Sequence, residues 1–183
     1  MNISLDGYYS GPNCELDWHF ERWCPDMGME LEKELSKAGS MLLGRKTWAA
    51  MSAYWPSKIG DPCCPREDIS FAMQMNNRHK IVYSNNLKTA DWSNSSIIKG
   101  NLETAIRSLK NTGDDKNIIA YGSGQLVQAL ISLNLVDEFQ LWIHPLILGK
   151  GKPLFKGNNE QAGLRLMGSK FFTSGVILLR YER

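Results

Sequence analysis

The feature that most constrains this chain is an apolar run that breaks on two glycines and then resumes with helical spacing. It covers residues 118–130, with Gly122 and Gly124 at the break. The pattern predicts a buried strand, a tight turn and a helix N-terminus. The first N–H groups of a helix have no intrahelical partner, and the helix dipole adds partial positive charge, so a phosphate fits there. A simple tight connection fits the same residues.

A second predicted strand-to-helix turn offers the same chemistry. Residues 41–48 contain an apolar strand followed by Gly44, two cations, Arg45 and Lys46, and the hydroxyl of Thr47. Threonine is also a common helix N-cap, so this residue has a purely structural interpretation as well. Together the two turns match the two ends of a dinucleotide.

Composition and charge limit the class of protein to which this chain can belong. With 183 residues, of which 43% are hydrophobic, we expect one domain over residues 1–183 with a sizeable core. The formal net charge of +2 comes from scattered residues, which does not predict a nucleic-acid partner. No signal peptide or membrane-spanning segment is evident, so we expect a cytoplasmic protein with no membrane partner.

Cysteine and histidine spacing does not predict a metal site. The chain has no Cys-x-x-Cys pair, and its histidines lie far apart in sequence. Free thiols in a reducing compartment are the simplest interpretation of the cysteines. We assign no role to the adjacent Cys63 and Cys64.

Short apolar runs alternate with helical patterns along the chain. The strand candidates are residues 2–5, 40–43, 80–83, 96–98, 117–121, 138–144, 164–172 and 176–181. The helix candidates are residues 27–37, 46–53, 68–75, 102–110 and 125–133. This alternation predicts an α/β fold with a mixed, mostly parallel sheet and helices on both faces. The turn at residues 173–175 predicts an antiparallel C-terminal hairpin.

Two segments leave alternatives open. Residues 54–67 hold three prolines and a glycine, and they form either a lid or a long excursion. The alternating apolar residues Phe139, Leu141 and Ile143 suit the edge of a homodimer, and burial within the sheet fits them equally well.

Several motifs taken together resemble the dihydrofolate reductase-like superfamily, in particular bacterial stand-alone proteins akin to the C-terminal reductase domain of riboflavin biosynthesis. The motifs occur in the family's order and span nearly the whole chain. They are Ser4-Leu5-Asp6-Gly7, Gly44-Arg45-Lys46-Thr47-Trp48, Val82-Tyr83-Ser84, Gly122-Ser123-Gly124-Gln125-Leu126, Leu135-Val136-Asp137-Glu138 and Pro145-x3-Gly149-x-Gly151-x2-Leu154-Phe155. The resemblance implies the family's three-layer fold and NADPH as cofactor.

The resemblance also implies roles for individual residues. Thr47 and its neighbours Gly44 and Lys46 would meet the pyrophosphate, and Arg45 and Ser84 would hold the adenosine 2′-phosphate. Asn85 and Asn86 follow the strand in place of an acid, which favours NADPH over NADH. The second turn would approach the pyrophosphate and nicotinamide through Gly122, Ser123, Gly124, Gln125 and Leu126. Relatives often hold the peptide bond between the first two of these residues in the cis form, so we expect a cis bond there.

On the substrate side the resemblance implies a small heterocyclic molecule. Trp18 matches a tryptophan near the nicotinamide, and Asp17 beside it is the first candidate for the proton donor, followed by Asp6 and Glu21. Ala120 replaces an acid of the riboflavin branch, which leaves a phosphoribosylamino-pyrimidine substrate open. Folate reduction, a non-catalytic NADPH-binding protein and a scaffold whose glycine turns are only connections remain alternatives.

Overall fold

The structure is a computed structural model that describes residues 1–62, 66–111, 117–156 and 161–183. Its helices, in chain order, are α1 (Asp17–Phe20), α2 (Pro25–Lys37), α3 (Arg45–Lys58), α4 (Arg66–Asn77), α5 (Leu102–Lys110) and α6 (Gly124–Ser132). Its strands are β1 (Asn2–Ser4), β2 (Tyr8–Ser10), β3 (Ala38–Gly44), β4 (His79–Tyr83), β5 (Ser95–Ile98), β6 (Asn117–Ala120), β7 (Glu138–His144), β8 (Lys152–Pro153), β9 (Arg165–Phe171) and β10 (Ile177–Glu182).

The chain divides into two compact units. The first contains Met1–Met27 and Val127–Arg183, and the second contains Gly28–Leu126. The prediction that residues 1–183 form one domain stays a prediction.

The second unit is built on a parallel sheet. Its strand order is β5-β4-β3-β6, and every neighbouring pair is parallel. The central strand β3 is apolar and buried over most of its length, as expected for a parallel strand covered on both faces. The buried core cluster of this unit consists of Leu35, Met41, Leu43, Trp48, Met75, Val82 and Trp92.

A buried lysine joins the end of α4 to this sheet. Lys80 is fully buried, and its ammonium lies 4.3 Å from the centre of the Trp92 ring. It donates hydrogen bonds of 3.0, 2.7 and 2.7 Å to the carbonyl oxygens of Met75, Asn76 and Arg78. Burial lowers the pKa of Lys80 to about 8. These carbonyls lie at or just beyond the C-terminal end of α4, where a cation is favoured by the helix dipole.

The first unit contains a mixed sheet with strand order β1-β7-β10-β9. Strand β1 is parallel to β7, whereas β10 is antiparallel to both β7 and β9. The ring of Trp142 stacks on that of Phe172, with centroids 5.1 Å apart. A separate antiparallel pair, β2 and β8, belongs to the same unit.

The predicted α/β class is confirmed, including the antiparallel C-terminal hairpin formed by β9 and β10. Residues 54–58 and 66–67 are exceptions to the predicted lid or excursion. Helix α4 begins at Arg66, and α3 continues through Pro56 to Lys58. The reason is tertiary packing: Met51 and Trp55 pack against the core cluster, which offsets the hydrogen bond that proline cannot donate. Cys63 and Cys64 lie outside the described residues. None of the described helices is long and apolar enough to span a membrane.

Candidate functional site

The two glycine turns that the sequence singles out lie side by side in the second unit. Strands β3 and β6 are parallel neighbours, with Leu42 opposite Ala120. Beyond this pair the Tyr121 N–H donates to the Leu42 carbonyl at 3.2 Å, and the Gly44 N–H donates to the Gly122 carbonyl at 3.0 Å. Helices α3 and α6 therefore begin next to each other at the carboxyl ends of the two strands.

Glycine is required at this junction because the two turns approach each other closely. A Cβ atom on Gly44 would lie 2.7 Å from the Ser123 Oγ. Gly122 has a φ of +116°, and a Cβ atom on it would lie 3.4 Å from the Thr47 Oγ1. The expected cis bond between Gly122 and Ser123 is confirmed. Neither Gly44 nor Gly122 therefore places a side chain between the two turns.

The surroundings of the two helix starts suit an anion. The described first turns of α3 and α6 contain no acidic side chain. Gly44 occupies the N-cap position of α3 and has no side chain with which to cap the free N–H groups. Arg45 and Lys46 are exposed in the first turn, and Thr47 is half-buried beside Gly122. Gln125 is exposed and Leu126 is buried in the first turn of α6.

Ser84, the predicted contact to the 2′-phosphate, directly follows β4 and is buried. Its hydroxyl oxygen accepts hydrogen bonds from the N–H groups of Asn86 and Leu87, at 3.3 and 3.1 Å. The hydroxyl hydrogen remains a donor, because accepting bonds does not consume it. The assignment of Ser84 and Arg45 to the 2′-phosphate stays a prediction.

The remaining predicted site residues belong to the first unit. Asp17 is the exposed first residue of α1, and Trp18, which follows it, is buried. Glu21 is exposed at the end of the same helix. The Trp18 ring contacts His19 and His144, with centroid separations of 5.5 and 5.2 Å.

This cluster contains two histidines that the sequence analysis did not select. The Trp18 indole N–H and the Nδ1 atoms of His19 and His144 are buried and have no hydrogen-bond partner among the described residues. His144 Nε2 lies 3.1 Å from the Asn2 Oδ1. In the sequence, the one indication of His144 is that it ends the apolar pattern of β7. A histidine at the end of a strand does not by itself indicate a functional site.

Electrostatics keep the buried histidine neutral. Burial, followed by the electrostatic effects of His19 and Arg22, lowers the pKa of His144 to about 4. Burial also lowers the pKa of His19, against an opposing effect from Asp17. Both imidazoles are therefore neutral near pH 7, where they can donate and accept hydrogen bonds.

Asp6, a secondary candidate for the proton donor, instead holds a loop. Its carboxylate accepts hydrogen bonds from Ser4 Oγ at 2.6 Å and from the N–H groups of Leu148 and Gly149 at 3.1 and 2.8 Å. The bond from Ser4, followed by those from the two N–H groups, lowers the pKa of Asp6. A carboxylate with these partners stabilises the start of the glycine-rich loop at residues 148–151.

Replacing Asp6 by asparagine is expected to destabilise the protein at neutral pH and to have a smaller effect in acid. Because folding lowers the pKa of Asp6 below 3.8, its contribution to stability is present above that pH and is lost as the pH falls below it. Urea unfolding of wild-type and Asp6→Asn protein at several pH values measures this difference. A difference that is independent of pH would contradict the role of the charge.

Within the described ranges, no group of three or more His, Cys, Asp or Glu side chains is arranged to hold a metal ion. The fold is therefore that of an α/β protein whose clearest ligand-binding feature is a glycine-lined pair of helix starts at the carboxyl ends of parallel strands. Open α/β sheets bind their ligands at this edge.

The chain belongs to the RibD C-terminal domain family, whose family model matches residues 1–178. It is 35% identical over 182 residues to the uncharacterized protein YyaP of Bacillus subtilis (strain 168), covering 100% of this chain and 92% of that protein. It is 37% identical over 176 residues to the uncharacterized YwjB of the same strain, covering 96% of this chain and 91% of that protein. Family membership indicates an oxidoreductase with a reductase role.

Solved structures share this fold. A protein from Shewanella sp. PV-4, provisionally named for riboflavin biosynthesis, matches with a TM-score of 0.73 at 22% identity, over 100% of this chain and 96% of that one. Acinetobacter baumannii RibD matches with a TM-score of 0.69 at 15% identity, over 100% of this chain and 56% of that one. At these identities the likeness establishes the fold alone.

Proposed function

We propose that this protein is an NADPH-dependent reductase that acts on a pyrimidine- or pteridine-type heterocycle or on a sugar-derived imine. The observation that carries the proposal is the pair of adjacent helix starts in the second unit, joined by the hydrogen bond from Gly44 to Gly122. Two sets of free N–H groups, two helix dipoles and two exposed cations converge there, which suits a pyrophosphate. Family membership supports the reductase class.

The residues present fit a dinucleotide phosphate. A side chain at Gly44 would collide with Ser123, and Gly122 has a positive φ that other residues rarely adopt, so glycine is needed at both positions. The N–H groups at the start of α3 and α6 would bind the pyrophosphate, with Thr47 donating from its hydroxyl. Arg45 would pair with the 2′-phosphate, because a guanidinium offers two parallel donors to anionic oxygens.

When bound, NADPH supplies the hydride that reduces the electrophilic carbon. The protein's own contribution is to orient the substrate, exclude water and supply a proton to the neighbouring heteroatom. Asp17 is the proposed proton donor, because it is exposed at the start of α1 beside Trp18. The substrate is a small molecule, and the protein acts in the cytoplasm.

Cofactor binding and turnover are tested separately. Quenching of tryptophan fluorescence during titration with NADPH measures binding, and loss of NADPH absorbance with a panel of heterocycles, dihydrofolate and imines measures reduction. Binding with turnover of a pyrimidine, pteridine or imine supports the proposal. Turnover of dihydrofolate alone would favour a folate reductase, and binding without turnover of any compound would favour a non-catalytic NADPH-binding protein. Absence of binding would contradict the site.

The Arg45 guanidinium is expected to give NADPH at least a tenfold advantage over NADH, which corresponds to about 1.4 kcal/mol. Arg45→Ala should remove most of this preference by weakening NADPH binding while leaving NADH binding nearly unchanged. The exposed Arg107, which pairs with Glu103 on α5, provides the matched control Arg107→Ala. Dissociation constants for both nucleotides test the prediction, and equal affinities in the wild-type protein would remove the assignment.

A further inference from the structure

A cysteine and a lysine of the first unit approach each other unusually closely. The Lys152 Nζ lies 2.6 Å from the Cys14 Sγ, although the two residues are 138 positions apart. Ordinary N–H···O hydrogen bonds are about 2.7–3.2 Å long, and sulfur is larger than oxygen. The separation is therefore shorter than a hydrogen bond to sulfur requires, and it is already below the distance of about 3–3.5 Å at which reacting atoms are positioned.

The backbone fixes both partners of this contact. Lys152 lies on β8 and is paired with Ser10 of β2, so its position follows from the strand register. Glycine at position 151 allows β8 to lie this close to β2, because a Cβ atom on Gly151 would lie 2.3 Å from the Ser10 carbonyl oxygen. Cys14 is held by a turn in which its N–H donates to the Gly11 carbonyl at 3.2 Å. The contact therefore does not depend on a freely moving loop.

The turn that carries Cys14 is closed on its other side as well. The Gly11 N–H donates to the Glu15 carbonyl at 3.0 Å, and the Glu15 carboxylate accepts from the Asn13 N–H at 2.8 Å. Cys14 itself has a φ of +72°, a conformation that non-glycine residues adopt rarely. A turn held in this way keeps the thiol aimed at Lys152.

The surroundings favour redox chemistry at the sulfur. Cys14 is exposed, so a small oxidant can reach it. The hydrogen bond with Cys14, and then the charges of Cys14, Tyr9 and Glu15, raise the pKa of Lys152. An ammonium is not a nucleophile, so Lys152 must lose a proton to solvent before it can react at the sulfur.

We propose that Cys14 and Lys152 form a reversible nitrogen–sulfur cross-link when the protein meets hydrogen peroxide. In the first step the thiol takes one oxygen atom from the peroxide, giving a sulfenic acid and one water. In the second step the Lys152 ammonium first releases one proton to solvent. The resulting amine attacks the sulfur, the N–S bond forms, the S–O bond breaks, and the hydroxyl leaves as water with a second proton from the nitrogen. Sulfur loses two electrons, the peroxide gains them, and the product is a sulfenamide with two hydrogen atoms fewer than the reduced pair.

The cross-link would tie β8 to the segment that leads into α1. Cys14 precedes Asp17 and Trp18 by three and four residues. A covalent bond at Cys14 therefore restricts the segment that carries the proposed proton donor. This consequence rests on the proposed function, whereas the cross-link itself does not.

The test uses the full chain with Cys24, Cys63 and Cys64 replaced by serine, so that no disulfide can form within one molecule. After treatment with hydrogen peroxide we expect an intact mass lower by two hydrogen atoms. Proteolysis should yield one joined species that contains the peptides of Cys14 and Lys152, and a thiol reductant should separate it. Lys152→Met in the same background should abolish the joined species, whereas the neighbouring control Lys150→Met should retain it.

Other products would overturn the proposal. These are a sulfinic acid at Cys14 without any joined peptide, a disulfide between two chains, or a joined species that persists in Lys152→Met. A joined species with one additional oxygen atom would show that oxygen bridges the nitrogen and the sulfur, which would contradict a direct N–S bond. Binding of NADPH plays no part in these measurements, so failure of the cross-link and failure of the proposed cofactor site are distinguishable.

Discussion

Gly124→Asp is expected to weaken NADPH binding by at least about 100-fold, which corresponds to roughly 2.7 kcal/mol. Gly124 is the first residue of α6, at the turn that lies beside the start of α3. A carboxylate there would oppose the pyrophosphate at short range, and like charges about 4 Å apart repel by about 4 kcal/mol at an effective dielectric constant near 20. The dissociation constant from a fluorescence titration measures the effect.

The fold should survive this substitution, because an acidic side chain in the first turn of a helix is favoured by the helix dipole. Gly124→Asn is the matched control, since asparagine has nearly the same size and no charge. We expect the asparagine variant to bind NADPH much more tightly than the aspartate variant. A folded Gly124→Asp protein with wild-type affinity would show that this turn does not bind the cofactor.

Lys80→Met is expected to lower the free energy of unfolding by roughly 3 kcal/mol or more, because each buried polar group left without a partner costs about 1–3 kcal/mol. The substitution would remove a donor from three carbonyl oxygens at the end of α4, of which that of Asn76 also accepts a hydrogen bond from Ser93 Oγ at 3.3 Å. It would also remove the cation above the Trp92 ring. Methionine matches the length of the apolar stem, so the loss reports the ammonium rather than a cavity. Urea unfolding measures the change in the free energy of unfolding, with the same dependence on urea concentration used for both proteins.

Lys99→Met provides the control for this second prediction. Lys99 is exposed directly after β5, and surface substitutions of this kind usually change stability by less than about 0.5 kcal/mol. Equal stability of wild-type and Lys80→Met protein would show that the three carbonyls find other partners, and that the buried ammonium contributes nothing to the fold.

Local sequence was sufficient for the main elements of the fold. The bounds predicted for β7 and α5 agree with the structure at both ends, because each has a strong period and a clear boundary signal. At α5 that signal is Asn101, whose side chain accepts a hydrogen bond from the Thr104 N–H at 3.0 Å. The prediction failed at Pro56, where packing of Met51 and Trp55 overrides a local preference.

The sequence was less informative about the short elements. Helix α1 and strands β2 and β8 have four residues or fewer, too few for a period to be recognised. They form because their partners lie elsewhere in the chain, as in the pairing of Ser10 with Lys152.

The two glycine turns are what the sequence by itself determined about the candidate site. Gly44 and Gly122 are informative without a structure, because glycine is the residue type usually found where the backbone bends sharply or is approached closely. The two cations Arg45 and Lys46 and the hydroxyl of Thr47 follow directly after Gly44. The resemblance then supplied the family, which the match over residues 1–178 shows.

Only the tertiary structure decided which polar side chains have partners. Asp6 is a plausible acid in the sequence, yet it binds the N–H groups of Leu148 and Gly149, more than 140 positions away. His144 gains its low pKa only because folding buries it beside Trp18 and His19. Burial, hydrogen bonding and charge act over a few ångströms in space, and no local pattern records which distant residues come within that distance.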